Sequence, residues 1–302
     1  MTPVLLFPGQ SSLQPEMLAE AQAVWPEVTR DVMREAQAAL SRDLSGWCVR
    51  VEPTCNQDVQ LAVFLTTHVH LAALRREGHD APVSLGLSLG EYNHLVHIGA
   101  LPFADALRLV SARGEAYDAG PRGAMAAVFP LSEEELRPLL AGDVEIANFN
   151  SPTQHVVAGR RVDVEATVDR VEEETYARAV VIERRCPMHV PRFAPASAAL
   201  RPFLEAAPWT TPRRPYLPNV DAEPLEAPTP AQIVERLTRH VHQPVRWRAS
   251  IDRVVALHGD VLFLEVGPGR VLTDLLRAPW REEPRARTSD WAAAMEALDG
   301  AR

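Results

Sequence analysis

The sequence predicts an α/β fold in which a mainly parallel sheet is interrupted by a small inserted domain. Two observations lead to this prediction. Short apolar runs at residues 4–7 and 82–85 each stop at a glycine turn, and helical patterns of apolar residues lie beside them, as expected for strands covered by helices. Between residues 124 and 183 the pattern changes to short strands and helices in the order β-α-β-β-α-β.

Length, charge and cysteine content argue against several classes of function. A chain of 302 residues that is 46% hydrophobic can bury a large core, so it fits one large domain or one domain with an insertion. Its net charge of −9 provides no global basic field, and we expect no nucleic-acid partner. The start MTPVLLFPGQ lacks the features of a secretory signal, and no apolar run is long enough to span a bilayer. Three cysteines without CxxC spacing predict reduced thiols, a cytoplasmic location and no zinc site.

The first third of the chain supplies the elements around one edge of the predicted sheet. Residues 4–7 predict a buried strand that ends in a tight turn at Pro8-Gly9, where a ligand can approach the backbone. Residues 15–42 and 57–77 predict helices that cover the sheet. The strand at residues 82–85 then runs into Gly86-Leu87-Ser88-Leu89-Gly90 and a helix from Glu91, which is a strand, a sharp turn and a helix.

The middle of the chain predicts the inserted domain. The order of its elements is that of a ferredoxin-like domain. We therefore predict a ferredoxin-like small subdomain at residues 123–187, inside a large α/β catalytic domain formed by residues 1–122 and 188–302. The predicted strands and helices are strands 125–129, 144–149, 155–158 and 179–183, and helices 132–140 and 162–174.

The last third returns to the large domain. The proline-rich stretch at residues 208–230 predicts an extended loop that wraps the surface. Helices near residues 231–241 and 247–258 follow, and the strand 261–265 ends at Gly267-Pro268-Gly269, a second strand-to-helix turn.

The glycine-flanked Ser88 is the strongest candidate for chemistry. Gly86-x-Ser88-x-Gly90 has the form of a nucleophile elbow, in which the glycines let strand and helix pack closely while the serine sits on a strained turn, as in α/β-hydrolase-like domains. The N–H of Leu89 and an N–H from the loop at Gly9-Gln10 can then stabilise an oxyanion. By itself the string also fits a serine that caps a helix.

The motif that contains Ser88 is one of a series of motifs in a fixed order along the chain. They are FPGQS at 7–11, GLSLGEY at 86–92, GAL at 99–101, LVSARG at 109–114, GAM at 123–125, NFNSP at 148–152, PVRW at 244–247 and EVGPG at 265–269. In this order they resemble the malonyl-CoA:acyl-carrier-protein transacylase family, which includes discrete acyltransferases that serve polyketide synthases. The resemblance spans residues 7 to about 276.

The resemblance implies a catalytic pair without a third acid. Ser88 matches the family's nucleophile, and His189 matches its general base, which a serine hydroxyl needs at neutral pH. The family orients that histidine through a backbone carbonyl, expected here near His240, where the family usually has glutamine. Gln10 matches the oxyanion-hole position, with Leu89 as the second donor.

The resemblance also implies a substrate site. Arg113 matches the arginine that grips the free carboxylate of a malonyl-type substrate through two parallel N–H donors. On pattern alone, Arg113 also fits an ordinary salt-bridged helix residue. The residues expected near the acyl pocket are Leu87, Met125, Asn148, Met188, Val190 and His240.

Several positions depart from the family's usual strings. Leu87 stands where histidine or glutamine is common, and the residues on both sides of His189 and after Gln10 also differ. These departures leave the acyl group open among malonyl, substituted malonyl and something larger. Arg184, Arg185 and Arg192 fit either a solvated surface or a patch for an acidic carrier domain. His94 and His97 have metal-ligand spacing without a third ligand, so no metal is expected.

The sequence therefore predicts a trans-acting acyltransferase that moves a malonyl or related group from coenzyme A to the phosphopantetheine thiol of an acyl carrier protein. We expect acyl-CoA as substrate, no bound cofactor, no membrane contact and a monomer. The alternatives are an editing hydrolase of acyl carrier proteins and a transferase of a larger acyl group between carrier proteins. An inactive scaffold conflicts with the joint presence of Ser88, His189 and Arg113, and a lipase-like esterase requires a different residue order.

Overall fold

A computed structural model of the protein describes residues 1–276 and 280–301. Its strands are β1 (Thr2–Phe7), β2 (Val83–Gly86), β3 (Ala124–Phe129), β4 (Glu145–Ser151), β5 (Gln154–Gly159), β6 (Arg178–Glu183), β7 (Val261–Glu265) and β8 (Arg285–Arg287). Its α-helices are α1 (Met17–Val24), α2 (Pro26–Leu40), α3 (Asn56–Arg76), α4 (Gly90–His97), α5 (Phe103–Ala119), α6 (Glu133–Leu136), α7 (Arg161–Glu174), α8 (Ala194–Ala206), α9 (Pro230–His240), α10 (Trp247–His258), α11 (Val271–Leu275) and α12 (Trp291–Ala301). Short 3₁₀ helices lie at Gln10–Ser12, Ser45–Cys48, Arg137–Leu139, Pro191–Phe193 and Trp280–Glu282.

The larger-domain sheet is parallel, as predicted. Its strand order is β2-β1-β7-β8, and β1 pairs in parallel with β2 on one side and with β7 on the other. Because the carboxyl ends of parallel strands meet at one edge of a sheet, the turns after β1, β2 and β7 lie side by side. This edge brings the Pro8-Gly9 loop against the Ser88 turn.

Both faces of this sheet are covered, which explains why its strands are apolar throughout. Successive residues of β1 point to opposite faces. Leu6 packs in one cluster with Trp247 of α10. Leu5 packs in another with Leu71 of α3 and Ala294 of α12.

The second sheet is antiparallel and has the strand order β4-β5-β3-β6. One face packs with α7 around Val164 and Val171 in its own apolar cluster. Met125 and Val156 belong instead to the large core cluster that includes residues of α3 and α5. A bridge between Asn148 and Val245 also joins β4 to the segment before α10.

The proline-rich stretch differs from its prediction. Residues 208–229 form no helix, as expected; they contain bends, a turn at residues 219–221 and an isolated bridge between Tyr216 and Leu225. The predicted surface location is wrong, because Tyr216 and Asn219 are buried and contact Glu91 of α4. Because this backbone is not part of a helix or sheet, its N–H and carbonyl groups are free to bond with side chains of the core.

Smaller differences concern element boundaries. The predicted helix 15–42 is two helices, because Pro26 begins α2 and so separates it from α1. The predicted helix 132–140 is a single α-helical turn followed by a 3₁₀ turn that contains Pro138. Helix α11 follows the predicted strand-to-helix turn at Gly267-Pro268-Gly269, whereas helices α8 and α12 and the three-residue strand β8 had no counterpart in the prediction.

Candidate active site

Ser88 lies on a turn that only glycine-flanked sequence can form. The turn joins β2 to α4, and Ser88 has a φ of 52°, in the left-handed region that non-glycine residues seldom adopt. A Cβ atom added at Gly86 would lie 2.1 Å from the backbone carbon of Gly90. One added at Gly90 would lie 2.0 Å from the carbonyl oxygen of Phe7. Both glycines are therefore required for strand, turn and helix to pack this closely.

His189 is hydrogen-bonded to Ser88. Its Nε2 lies 2.8 Å from the Ser88 Oγ, and its Nδ1 lies 2.6 Å from the backbone carbonyl oxygen of His240. A carbonyl only accepts, so Nδ1 carries the proton and Nε2 is the acceptor for the serine hydroxyl. The backbone N–H of His189, whose φ is 63°, donates to the carbonyl of Val241.

The surroundings of His189 keep its ring neutral. Burial lowers the pKa of His189 well below its usual value of 6.5, and the neighbouring charges of His240 and Arg113 lower it further. The hydrogen bond to the His240 carbonyl opposes this shift. At neutral pH the ring is therefore free to accept a proton from Ser88.

Arg113 is a buried cation without an acidic partner. Its side chain is 1% exposed, and its Nη1 donates to Gln60 Oε1 at 2.6 Å. Its Nη2 lies 3.3 Å from the Ser88 Oγ, and the guanidinium carbon lies 4.2 Å from the centroid of the Tyr117 ring. Arg113 forms no ion pair with any residue that the structure describes. The salt-bridged reading of this residue is therefore wrong, and a buried lone cation is a binding site for an anion.

The expected oxyanion donors lie on either side of the Ser88 turn. A Cβ added at Gly9 would lie 3.8 Å from the Ser88 Cβ, so the loop that leads to Gln10 passes directly over the serine. In the described part of the chain, the backbone N–H groups of Gln10 and Leu89 have no hydrogen-bond acceptor. Two free donors beside a serine can stabilise a negative oxygen.

A cavity of about 460 Å³ opens beside Ser88 and His189. Its walls include the predicted pocket residues Leu87, Met125, Asn148 and Met188, together with Gln10. Val190 is buried and is not on the wall of this cavity. The His240 side chain is also off the wall, and lies behind His189 with their ring centroids 4.8 Å apart.

Asn219 is a site residue that the sequence did not reveal. Its Oδ1 accepts from the Ser88 N–H at 2.9 Å, and its Nδ2 donates to the Gly86 carbonyl at 2.6 Å. One side chain thus holds the backbone before and at the serine. The only signal in the sequence was a polar residue inside the proline-rich stretch, which gives no indication of the contact.

The described residues contain no cluster of side chains suited to a metal ion. His94 and His97 are buried and both contact the Ser84 hydroxyl, which accounts for their spacing without a metal. Among the same residues, no helix combines the length and the apolar character needed to cross a bilayer.

Comparison with known proteins agrees with this geometry. The family model described as the acyl transferase domain matches residues 19–296. The malonyl CoA-acyl carrier protein transacylase of Bacillus subtilis (strain 168) is 33% identical over 298 residues, covering 94% of this chain and 92% of that protein. The polyketide biosynthesis protein ThaF of Burkholderia thailandensis is 34% identical over 282 residues, covering 90% of this chain but 24% of that larger protein.

A solved structure shows the same likeness in three dimensions. It is the malonyl-transacylase in complex with the acyl-carrier protein of a type II polyketide synthase, and it superposes with a TM-score of 0.90 at 29% identity. The match covers 99% of this chain and 100% of that one. The chain belongs to the malonyl-CoA:acyl-carrier-protein transacylase family.

Proposed function

We propose that this protein transfers a malonyl group from coenzyme A to the phosphopantetheine thiol of an acyl carrier protein, through an ester on Ser88. The observation that carries the proposal is the buried guanidinium of Arg113, which has no acidic partner and lies 3.3 Å from the Ser88 Oγ. A free carboxylate on the acyl group supplies the missing negative charge. The names of the relatives support the same substrate and the same carrier.

In the first half-reaction, the Ser88 Oγ attacks the thioester carbonyl while its proton passes to His189 Nε2. The N–H groups of Gln10 and Leu89 stabilise the negative oxygen of the tetrahedral intermediate. The carbon–sulfur bond then breaks, and coenzyme A leaves as a thiol with the proton from His189. The product is malonyl-Ser88 and a neutral His189.

The second half-reaction runs the same steps with another thiol. The phosphopantetheine thiol gives its proton to His189 Nε2 and attacks the ester carbonyl of malonyl-Ser88. The ester bond breaks, and Ser88 takes the proton back from His189. One base therefore serves both transfers, which suits a ping-pong enzyme.

Specificity has two parts in this proposal. Arg113 selects acyl groups that end in a carboxylate, because two parallel N–H donors in a dry pocket match a carboxylate and leave acetyl without a partner. Leu87, Met125, Asn148 and Met188 surround the reacting carbonyl and set the size of the acyl group. An editing hydrolase that accepts varied acyl groups has no use for Arg113, so hydrolysis is the weaker reading.

Intact-mass measurement tests the proposal. The purified protein is incubated separately with malonyl-CoA, methylmalonyl-CoA and acetyl-CoA, with Ser88→Ala and Arg113→Ala as controls. We expect a malonyl adduct that Ser88→Ala abolishes and a preference over acetyl that Arg113→Ala removes. If no substrate labels Ser88, malonyl transfer is wrong, and the editing hydrolase or a transferase of a larger acyl group takes its place.

The finer description of the fold is part of the proposal. A hydrolase-like large domain at 1–122 and 188–302 would carry a ferredoxin-like insertion at 123–187, and the strand order β4-β5-β3-β6 supports the insertion. Residues 277–279 and 302 of the proposed large domain lie outside the described residues. We also propose a cytoplasmic monomer without a bound cofactor, which contacts neither membrane nor nucleic acid. The net charge of −9 supports the last point.

A further inference from the structure

Behind His189 lies an imidazole and carboxylate pair that the steps above do not use. The His240 ring stacks against the His189 ring at an interplanar angle of 16°. Its Nδ1 lies 2.7 Å from Oε2 of Glu91, in an ion-pair contact between two fully or almost fully buried side chains. Glu91 is the second residue of α4, three residues after Ser88.

These contacts form a continuous chain that starts and ends at the Ser88 turn. Ser88 bonds to His189, and His189 donates to the backbone carbonyl of His240. The ring of the same His240 contacts Glu91, which returns to the Ser88 turn through α4. His240 therefore holds His189 by its main chain and Glu91 by its side chain.

Glu91 is surrounded by donors. Its Oε1 accepts from the Tyr216 hydroxyl and, at 3.4 Å, from the Asn219 N–H, while the His240 ring approaches Oε2. Oε1 therefore accepts two hydrogen bonds, and Oε2 faces the His240 ring. Burial and then Glu91 raise the pKa of the Tyr216 hydroxyl well above its usual value, so Tyr216 stays a donor to Oε1.

The chemistry requires a negative charge in this region. When Ser88 gives up its proton, His189 becomes an imidazolium in a buried site that already holds the Arg113 cation, and Arg113 is matched by the substrate carboxylate. Three carboxylates are buried in the described part of the chain. Asp58 pairs with Arg42, and Glu265 accepts from the first turn of α11, whereas Glu91 contacts the His240 ring that stacks on His189.

We infer that Glu91, acting through the His240 ring, is the positioning residue that balances the positive charge formed on His189. Because the His240 ring contacts Glu91 and stacks on the His189 ring, a negative charge on Glu91 stabilises a cation on His189. Glu91 then has the role of the acid in a catalytic triad, except that the His240 ring lies between it and the base. The inference rests on the proposed function, since it requires proton transfer from Ser88.

Other titratable groups pack around Glu91, His240 and His189, and they must stay unsubstituted in the test. They come from three elements packed around these residues and from the proline-rich stretch: Tyr92 on α4, Arg113 and Tyr117 on α5, Arg236 on α9, and Tyr216. None of them is changed in the variants below.

The first variant is Glu91→Gln, which keeps the shape of the side chain and removes its charge. Single-turnover malonylation of Ser88 by malonyl-CoA is followed by quench and intact mass from about pH 5 to about pH 9. Without the anion, His189 binds a proton less readily. We expect the plateau rate to fall about 10- to 100-fold and the acidic limb to move to lower pH.

The second test compares two variants that both keep the His240 carbonyl. His240→Gln retains a side-chain donor for Glu91, and we expect its plateau rate to fall at least about tenfold less than that of His240→Leu. His240→Leu removes the donor, and its rate should fall towards that of Glu91→Gln. This pair decides the question by itself if Glu91→Gln does not fold.

The outcomes separate this inference from the proposed function. If wild-type protein gives no malonyl adduct, the proposed function fails. If wild-type protein is labelled but Glu91→Gln keeps the wild-type acidic limb, or His240→Leu is as active as His240→Gln, the inference about Glu91 is overturned while the function stands.

Discussion

Acid should lower the free energy of unfolding of this protein, and the buried histidines should set the slope against pH. His70 provides a direct test. Its side chain lies on α3 and is 5% exposed, with Nδ1 2.8 Å from the Thr288 hydroxyl oxygen. Burial lowers the pKa of His70 from 6.5 to about 3, and no charged neighbour contributes. Because the folded-state pKa is depressed, the contribution to stability is complete above pH 6.5 and is lost as the pH falls towards 3.

The size of the effect follows from linkage. Within this window the unfolded chain binds a proton at position 70 that the folded chain does not, so each pH unit costs about 1.4 kcal/mol. The window spans about 3.5 units (6.5 − 3), which amounts to about 5 kcal/mol. Typical proteins have a free energy of unfolding of about 5 to 15 kcal/mol, so one such group is a large share.

The assay is urea unfolding at a series of pH values between about 4 and about 6. His70→Gln keeps a polar side chain for Thr288, and the slope of unfolding free energy against pH should fall by about 1.4 kcal/mol per unit. His258→Gln removes an exposed imidazole and is the matched control, with no change of slope. Equal slopes for wild type and His70→Gln would refute the reasoning, whatever the absolute stabilities.

Three further predictions concern the site. Arg113→Met should reduce the preference for malonyl-CoA over acetyl-CoA, measured as the ratio of kcat/KM values, by about a hundredfold, and an unchanged ratio would contradict the proposed grip on the carboxylate. Gly86→Ala should prevent folding or sharply lower Tm, because its Cβ would lie 2.1 Å from backbone, whereas Gly46→Ala, with nothing within 4 Å, should leave Tm nearly unchanged. Asn219→Ala should slow Ser88 acylation at least about tenfold, because the Ser88 N–H loses its hydrogen-bond acceptor. A single-turnover rate equal to that of the wild type would show that Asn219 does not position Ser88.

Apolar periodicity was sufficient to predict most of the fold. The strand Val261–Glu265 and the helix Trp247–His258 have the predicted bounds, because each is bordered by glycine or by a polar residue and is apolar on its buried face. β8 was not predicted, since three residues with two arginines carry no apolar pattern. It lies at the edge of the sheet, where pairing with β7 rather than its own composition defines it.

The site residues were also predicted only in part. Ser88, His189 and Arg113 were singled out from ordered motifs, and the structure brings His189 and Arg113 within hydrogen-bond distance of the Ser88 hydroxyl. Asn219 was missed because nothing local distinguishes one asparagine in a proline-rich loop. Val190 was assigned to the pocket from the family resemblance, but it does not line the cavity beside Ser88.

The unfavourable backbone at two positions explains why the motif around Ser88 is insufficient by itself. Ser88 and His189 both have positive φ, a conformation that costs about 1 to 3 kcal/mol at each non-glycine residue unless the surroundings impose it. The groups that impose it come from elsewhere: Asn219 holds the backbone at Ser88, and the carbonyls of Val241 and His240 hold the main chain and ring of His189. A glycine-flanked serine in a chain without these segments has no reason to remain strained. The chemistry of Ser88 is therefore encoded as much by the chain from 219 to 241 as by the turn that carries it.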